Sequence, residues 1–264
     1  MFHTFKNLIR LKRCPKFGKF IGITRSVERP FHSGSVLGAE EMQSSPFVVV
    51  STVNPSAIPL ARELLAAGEV IALPTDTVYG LACDANNPEA IQKLYQIKGR
   101  MEEKPVAICV AEIEDFHLWG SAKHLPRELL QELLPGAVTL VVNKSPRLDN
   151  PFLNPGVSRI GIRIPDSTFI RDVSRAFRAP IALTSANRST EPSSLNVTEF
   201  QPLWPLLGAV FDGGQLGVTE AQRAASTVVD LSEEGKYFVI RRGVAIQETE
   251  NVLKRYKFYK EDQE

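Results

Sequence analysis

Apolar residues in this chain come in short runs, separated by stretches in which they recur every three or four positions. The first pattern reads as buried strands and the second as amphipathic helices. The run at 70–73 is strand-like, and Ile58, Ala61 and Leu65 before it fall on one helical face. Asn54-Pro55 supplies that helix's start, with Asn capping free amides and Pro fitting the first turn, and Gly68 ends it. Asn87-Pro88 repeats the start signal, and the spacing of Ile91, Leu94 and Tyr95 predicts a helix to residue 97, stopped by Gly99. Further strands are predicted at 106–110, 138–142, 159–164, 181–183, 210–212, 227–230 and 238–241, and further helices at 126–134 and 167–177. The Pro- and Asn-rich segment 146–156 reads as a loop, and 249–264 as a charged helix or frayed tail. Strands alternating with helices indicate an α/β fold, and late strands without helices between them indicate antiparallel additions. The expectation is one domain over 54–247, built on a twisted, mixed parallel/antiparallel sheet flanked by helices, with a tail at 248–264.

The strand at 70–73 runs into Pro74-Thr-Asp-Thr-Val-Tyr-Gly-Leu-Ala-Cys-Asp-Ala85, where hydroxyls, a carboxylate and a glycine cluster. Ligands in α/β sheets sit just outside the carboxyl ends of strands. Lys98, Arg100 and Lys104 place three cations within seven residues, directly after a helix. Lysines supply point charges and arginine a planar fork that holds two oxygens, so the cluster suits a triphosphate. A solvated basic turn has the same composition. Thr184-Ser-Ala-Asn187 follows a strand with hydroxyls and an amide suited to phosphate or nucleoside, although Ser and Asn also favour plain turns. Arg159 and Arg163 are four apart and share one strand face. Arg163 lies in an apolar segment, where a buried arginine needs an anion: a substrate carboxylate or phosphate, or a structural acid.

Composition narrows the field. The 264 residues make one large domain or two small ones. No apolar run reaches the ~18 residues of a membrane helix. Cys14, Cys83 and Cys109 are scattered, as are the four histidines, which argues against a disulfide scaffold or a protein-bound metal. Residues 1–33 carry eight basic side chains and one acid, leaving 23 basic and 29 acidic residues beyond them. The acidic body weighs against a binder that reads nucleic-acid backbone by charge alone. The basic leader, 1–45 with its linker, reads as a mitochondrial targeting segment: Phe2, Phe5, Leu8 and Ile9 are spaced for an amphipathic helix, and cleavage is expected between Arg25 and Ser45. A phosphate loop of the G-x-x-x-x-G-K-[ST] type, a G-x-G-x-x-G and a G-x-S-x-G elbow are all missing. The residues themselves support an α/β protein with a concave, cationic, hydroxyl-lined pocket for a small anion or nucleotide.

Seven motifs occur in a fixed order: Pro74-Thr-Asp-Thr-Val-Tyr-Gly-Leu81, Lys98-Gly-Arg100 with Lys104-Pro105, Leu134-Pro-Gly-Ala-Val-Thr-Leu140, Gly161-Ile-Arg-Ile-Pro165, Thr184-Ser-Ala-Asn187, Ser226-Thr-Val-Val-Asp230 and Ile240-Arg-Arg-Gly243. Together they resemble the YrdC family, the threonylcarbamoyl-AMP synthases, over 54–247. The leader, Asn150-Pro-Phe and Ser194-Leu-Asn-Val look most like the animal members of mitochondria and cytoplasm. The resemblance implies a nucleotidyltransferase that turns L-threonine, bicarbonate and ATP into threonylcarbamoyl-AMP and pyrophosphate, with Mg²⁺ carried on ATP. A tRNA threonylcarbamoyltransferase would then use the product on tRNAs reading codons that begin with A, with at most weak tRNA contact by this chain. By motif match, Lys98, Arg100, Ser185 and Asn187 hold ATP, Lys104 reaches the phosphates and Arg241 the nucleotide, while Thr77, Arg163 and Ser226 hold threonine. No residue is assigned to a metal. Cys109 stands where some relatives place a polar threonine contact, and Arg242 where many have proline. Tyr79 and Gly80 are expected to shape the turn under Thr77, with Asp76 capping that turn or orienting Thr77.

One competing reading is a tRNA- or double-stranded-RNA-binding module without turnover, with Lys98, Arg100, Lys104, Arg159, Arg163, Arg241 and Arg242 lining a basic concavity. Another is a regulatory carbamoyl-handling domain that has lost turnover; the full motif set weighs against it.

Overall fold

A computed structural model describes residues 48–99 and 105–261. The leader and linker at 1–45, Arg100 and Lys104 lie outside the described residues. In chain order the strands are β1 (Val49–Ser51), β2 (Ile71–Leu73), β3 (Gly80–Asp84), β4 (Ala107–Cys109), β5 (Gly120–Ser121), β6 (Val138–Lys144), β7 (Arg159–Arg163), β8 (Ile181–Ser185), β9 (Ala209–Asp212), β10 (Thr227–Asp230), β11 (Lys236–Arg241) and β12 (Tyr259–Lys260). The helices are α1 (Ala57–Ala66), α2 (Pro88–Lys98), α3 (Ile113–Trp119), α4 (Arg127–Leu133), α5 (Thr168–Phe177) and α6 (Ile246–Arg255), with 3₁₀ segments at Val197–Leu206 and Glu220–Ala224. The sheet runs β1-β9-β2-β3-β8-β4-β7-β6-β10-β11-β12, with β5 added to β6. Parallel pairs (β1/β9, β2/β9, β4/β7, β6/β10, β11/β12) alternate with antiparallel ones, so the predicted mixed sheet is present.

Several local expectations hold for the expected reasons. Asn87 caps α2, its Oδ1 accepting from Glu89 N at 2.9 Å and Ala90 N at 3.1 Å, with Pro88 in the first turn. Gly99 closes the helix in the left-handed conformation (φ 63°), which glycine adopts at little cost. Other expectations need correcting. The Asn54-Pro55 pair makes a turn ahead of α1: Asn54 Oδ1 accepts from Ser56 N, and the helix begins at Ala57. Ordered structure starts before Asn54, because Val49–Ser51 adds a parallel edge strand alongside Val210–Asp212. The domain also runs past 247. α6 buries Val252 and Leu253 against the core, and Tyr259–Lys260 pairs with β11. The second half of the 74–85 stretch is a strand that returns antiparallel to β2, with Leu73 opposite Gly80. Gly80 is therefore a strand start, not part of a turn.

The register explains where a site forms. Through paired positions, Ala82, Cys109, Arg163, Gly161, Thr139, Val228 and Asp230 all share one face of the sheet. On the opposite face Leu81, Cys83, Ile108, Leu140, Ile160, Ile162 and Val229 form the main core with residues of α2, α3, α4 and α6. On the first face α1 and α5 pack together and cover Ile71, Leu73, Ala82, Cys109, Ile181 and Phe211. That cover stops at β4. Beyond it β7, β6, β10 and β11 present their first-face side chains to a cavity.

Candidate active site

The cavity has a volume of about 1170 Å³ and is floored by Ala107, Gly161, Thr139, Val141 and Val228. Its ends are set by the residues after β2, by the end of α2 with the 184–193 segment, and by β11. Small floor residues leave the room: a Cβ at Gly161 would stand 2.9 Å from Thr139 Cγ2 and 3.3 Å from Ala107 Cβ.

At the end nearest β2 the polar stretch is organised by Thr75. Its hydroxyl donates to Val78 O at 2.7 Å and accepts from Thr77 N and Val78 N at 3.1 and 3.2 Å, which makes a tight side-chain turn. Thr75 lines the cavity. Thr77, the predicted threonine contact, is buried just behind it. Its Oγ1 lies 3.1 Å from Thr75 Oγ1 and 3.4 Å from Arg163 Nη2. Arg163 reaches the cavity from the end of β7, and Asp76 is its partner, with Nη2 to Oδ1 at 2.5 Å and both side chains 8% exposed. The other Asp76 oxygen accepts from Asp166 N at 3.1 Å. Asp76 thus serves Arg163 and the Asp166 turn, not the turn under Thr77.

At the opposite end Lys98 is turned inward. Its ammonium donates to Ser185 O at 2.7 Å and to Asn187 O and Oδ1 at 2.5 and 3.2 Å. The Asn187 amide donates to Arg188 O at 2.8 Å and Glu191 O at 2.7 Å. Lys98, Ser185 and Asn187 are therefore brought together at the wall as predicted, and the lysine fixes the loop that carries the other two. Tyr79 is tied to this wall through its main chain, whose carbonyl oxygen accepts from Ala186 N at 2.7 Å. Its hydroxyl donates to Gly214 O at 2.7 Å and accepts from Gly213 N at 3.0 Å, and burial pushes its pKa up to about 12.

The third wall joins β6, β10 and β11. Thr139 Oγ1 and Ser226 Oγ are 2.9 Å apart, and Arg241 Nη2 donates to the same serine hydroxyl at 2.9 Å. Desolvation, and then the Arg163 cation, lower the pKa of Arg241. Gly243 makes this turn possible: a Cβ there would fall 2.3 Å from main-chain atoms of Ser226 and Thr227. Toward the rim, Arg159 is ion-paired with Asp230, and Lys236 with Glu261 at 2.6 Å. With Arg163 paired to Asp76, Arg241 is a cation deep in the cavity without a carboxylate partner among the described ion pairs. Arg242 turns away toward Glu250, 4.0 Å distant, and is not in the lining. Cys109 is fully buried under α5, its Sγ 3.7 Å from Ser174 Oγ, and burial raises its thiol to about 12. It makes no contact with the cavity.

Sequence reasoning placed Thr75 in the polar cluster without giving it a role, and missed Thr139. Thr139 had a signal: it is a hydroxyl inside an otherwise apolar strand.

A family model, Sua5_yciO_yrdC, described as "Telomere recombination", matches residues 63–243. A threonylcarbamoyl-AMP synthase of Bos taurus is 48% identical over 194 residues, covering 73% of this chain and 70% of that protein. That of Homo sapiens is 49% identical over 193 residues, covering 72% and 68%. Among solved structures, P. abyssi Sua5 complexed with L-threonine superposes with a TM-score of 0.70 at 27% identity, covering 82% of this chain and 63% of that one. E. coli YciO, at 22% identity and a TM-score of 0.66, shares the fold.

Proposed function

Because the chain belongs to the Sua5/YciO/YrdC family, we propose that it is a threonylcarbamoyl-AMP synthase, a nucleotidyltransferase that joins L-threonine, bicarbonate and ATP. Threonine nitrogen and bicarbonate give N-carboxythreonine and water. A carboxylate oxygen then attacks the α-phosphorus of ATP, and the bond to the β-phosphate oxygen breaks to release pyrophosphate. The observation that carries the reading is identity at 48% of aligned positions with the Bos taurus synthase, over 73% of the chain.

Both partners in the attack are anions, so the protein's work is charge neutralisation and alignment. The 1170 Å³ cavity exceeds the ~300–1,000 Å³ usual for one small ligand and suits two substrates side by side. In this reading Arg163 takes the threonine carboxylate and the Ser226 hydroxyl assists. Thr77 acts from behind by holding Arg163. Ser185, Asn187, Lys98, Arg100, Lys104 and Arg241 form the nucleotide half. Among the described residues there is no cluster of three or more His, Cys, Asp or Glu side chains. In the same reading Mg²⁺ is carried on the triphosphate. The product passes to a tRNA threonylcarbamoyltransferase, with weak tRNA contact at most. Work in both mitochondria and cytoplasm is part of the same proposal and rests on the basic leader.

The test is pyrophosphate release from ATP by the full chain, with threonine and bicarbonate each omitted in turn. Release that needs both is expected, and Arg100→Ala should abolish it while leaving thermal unfolding unchanged. Release indifferent to threonine would remove the reaction, and full activity in Arg100→Ala would remove Arg100 from the site.

A further inference from the structure

We propose that Asp76 is a positioning residue for the amino-acid substrate, acting through Arg163; the proposal rests on the reading that Arg163 takes the threonine carboxylate. The two side chains are each 8% exposed and joined from Nη2 to Oδ1 at 2.5 Å. A buried ion pair of this kind is a weak source of stability, because desolvating both charges offsets their attraction. Its geometry accounts for it better. Asp76 leaves the chain after β2, Arg163 ends β7, and the second Asp76 oxygen takes Asp166 N at 3.1 Å. One carboxylate therefore ties together the two segments that meet at this end of the cavity.

The arginine is only partly used. Nη2 is engaged by Asp76 and, at 3.4 Å, by Thr77 Oγ1, while Nε is buried with no hydrogen-bond partner. A buried donor left unsatisfied is costly unless something supplies an acceptor. With Nη2 held, the guanidinium plane is fixed relative to a ligand lying in the cavity that Arg163 lines. Charge points the same way. Arg163 and Arg241 both line the cavity, and after desolvation it is the Arg163 cation that lowers the pKa of Arg241. Asp76 cancels one of the two cations, so this end of the cavity matches a ligand with a single carboxylate.

Asp76→Asn keeps the shape and one acceptor but loses the charge and the acceptor for Asp166 N. Loss of a charge-assisted hydrogen bond predicts a rise in threonine KM of about 10- to 100-fold. KM for ATP should stay within about twofold, since Asp76 touches nothing in the nucleotide half. A merely structural role would move both constants, or unfold the protein.

The experiment measures threonine-dependent pyrophosphate release for wild type, Asp76→Asn, Arg163→Gln and the double variant. The double variant carries no unpaired buried charge, so it remains informative even where Asp76→Asn fails to fold. If Asp76 acts through Arg163, the double variant has the threonine KM of Arg163→Gln alone. An unchanged threonine KM in Asp76→Asn overturns the proposal, as does a double variant whose losses multiply. Wild type without threonine-dependent release would instead refute the reaction itself, and this inference with it.

Discussion

Arg241 meets Ser226 at two points: Nε donates to its main-chain oxygen at 3.0 Å, and Nη2 to its hydroxyl at 2.9 Å. The serine hydroxyl is thereby committed as an acceptor and turned toward Thr139. A lysine in place of Arg241 supplies a point charge without the rigid planar fork whose two nitrogens make these bonds. Arg241→Lys should lower kcat/KM for pyrophosphate release about tenfold or more, the value of one charge-assisted bond. Steady-state kinetics at fixed bicarbonate will show it; equal kcat/KM would mean that the fork geometry is irrelevant.

The cavity floor gives a second prediction. A Cβ at Gly161 meets Thr139 Cγ2 at 2.9 Å and Ala107 Cβ at 3.3 Å. Gly161→Val should destabilise the fold by about 1–3 kcal/mol through overpacking. Its larger effect should be on catalysis, because the added methyl groups project into the space between the two substrates. Thermal unfolding beside the pyrophosphate assay separates the two effects. A variant that is folded and fully active would show that the floor does not limit the site.

Tyr79 carries a pH-dependent prediction. Its pKa stands at about 12 in the folded protein against an ordinary 10.0. Between those values the unfolded chain loses the phenolic proton and the folded chain keeps it, so stability falls as pH rises. Below pH 10 the contribution is complete, and above 12 no further loss follows. Tyr79→Phe should be less stable at neutral pH by about 1–3 kcal/mol, since Gly213 N loses its acceptor. It should also lose stability less steeply than wild type between pH 10 and 12. Denaturant melts at pH 8, 10 and 11 test both parts, and parallel slopes for the two proteins would contradict the assignment.

Much of this was legible in the chain, and the failures have physical causes. α2 was readable because its cap, its apolar stripe and its stop residue are all local. Arg163 was marked as needing an anion because charge inside an apolar strand is costly wherever the strand goes. Which anion was not legible: Asp76 lies 87 positions away, and only the fold brings the segment after β2 to the end of β7. Gly80-Leu-Ala-Cys-Asp84 did not read as a strand because both its faces are covered, so no polar alternation remains. Lys98 was read as part of a cationic cluster and matched to the ATP-holding motif; that its ammonium also donates to the carbonyl oxygens of Ser185 and Asn187 is something no spacing encodes.

Asn154 shows how a segment that reads as plain loop can hold a site in place. Its side chain accepts from Val106 N at 2.7 Å and donates to Val106 O at 2.9 Å, completing a strand-like pair beside β4. Tyr95 OH adds a third bond, at 3.3 Å. Asn154 also sits at φ 53°, a conformation asparagine tolerates better than most residues. Asn154→Ala should cost about 2–4 kcal/mol, because two buried main-chain groups lose their partners and the backbone is strained. Calorimetric melting would register this as a fall of several degrees, and an unchanged melting point would show that Val106 finds other partners.

The alternation along β6 and β7 has a consequence for how this protein can change. Positions 139, 141, 159, 161 and 163 face the cavity, while 138, 140, 142, 160 and 162 are core. Ligand preference and foldability are thus written on interleaved positions of the same strands, each editable without rewriting the other. Substitutions can tune one set at a time, but a single inserted residue exchanges the two sets along the rest of the strand. An engineer seeking a different amino-acid substrate therefore has a short list of positions to randomise, and a strong reason never to alter the strand lengths.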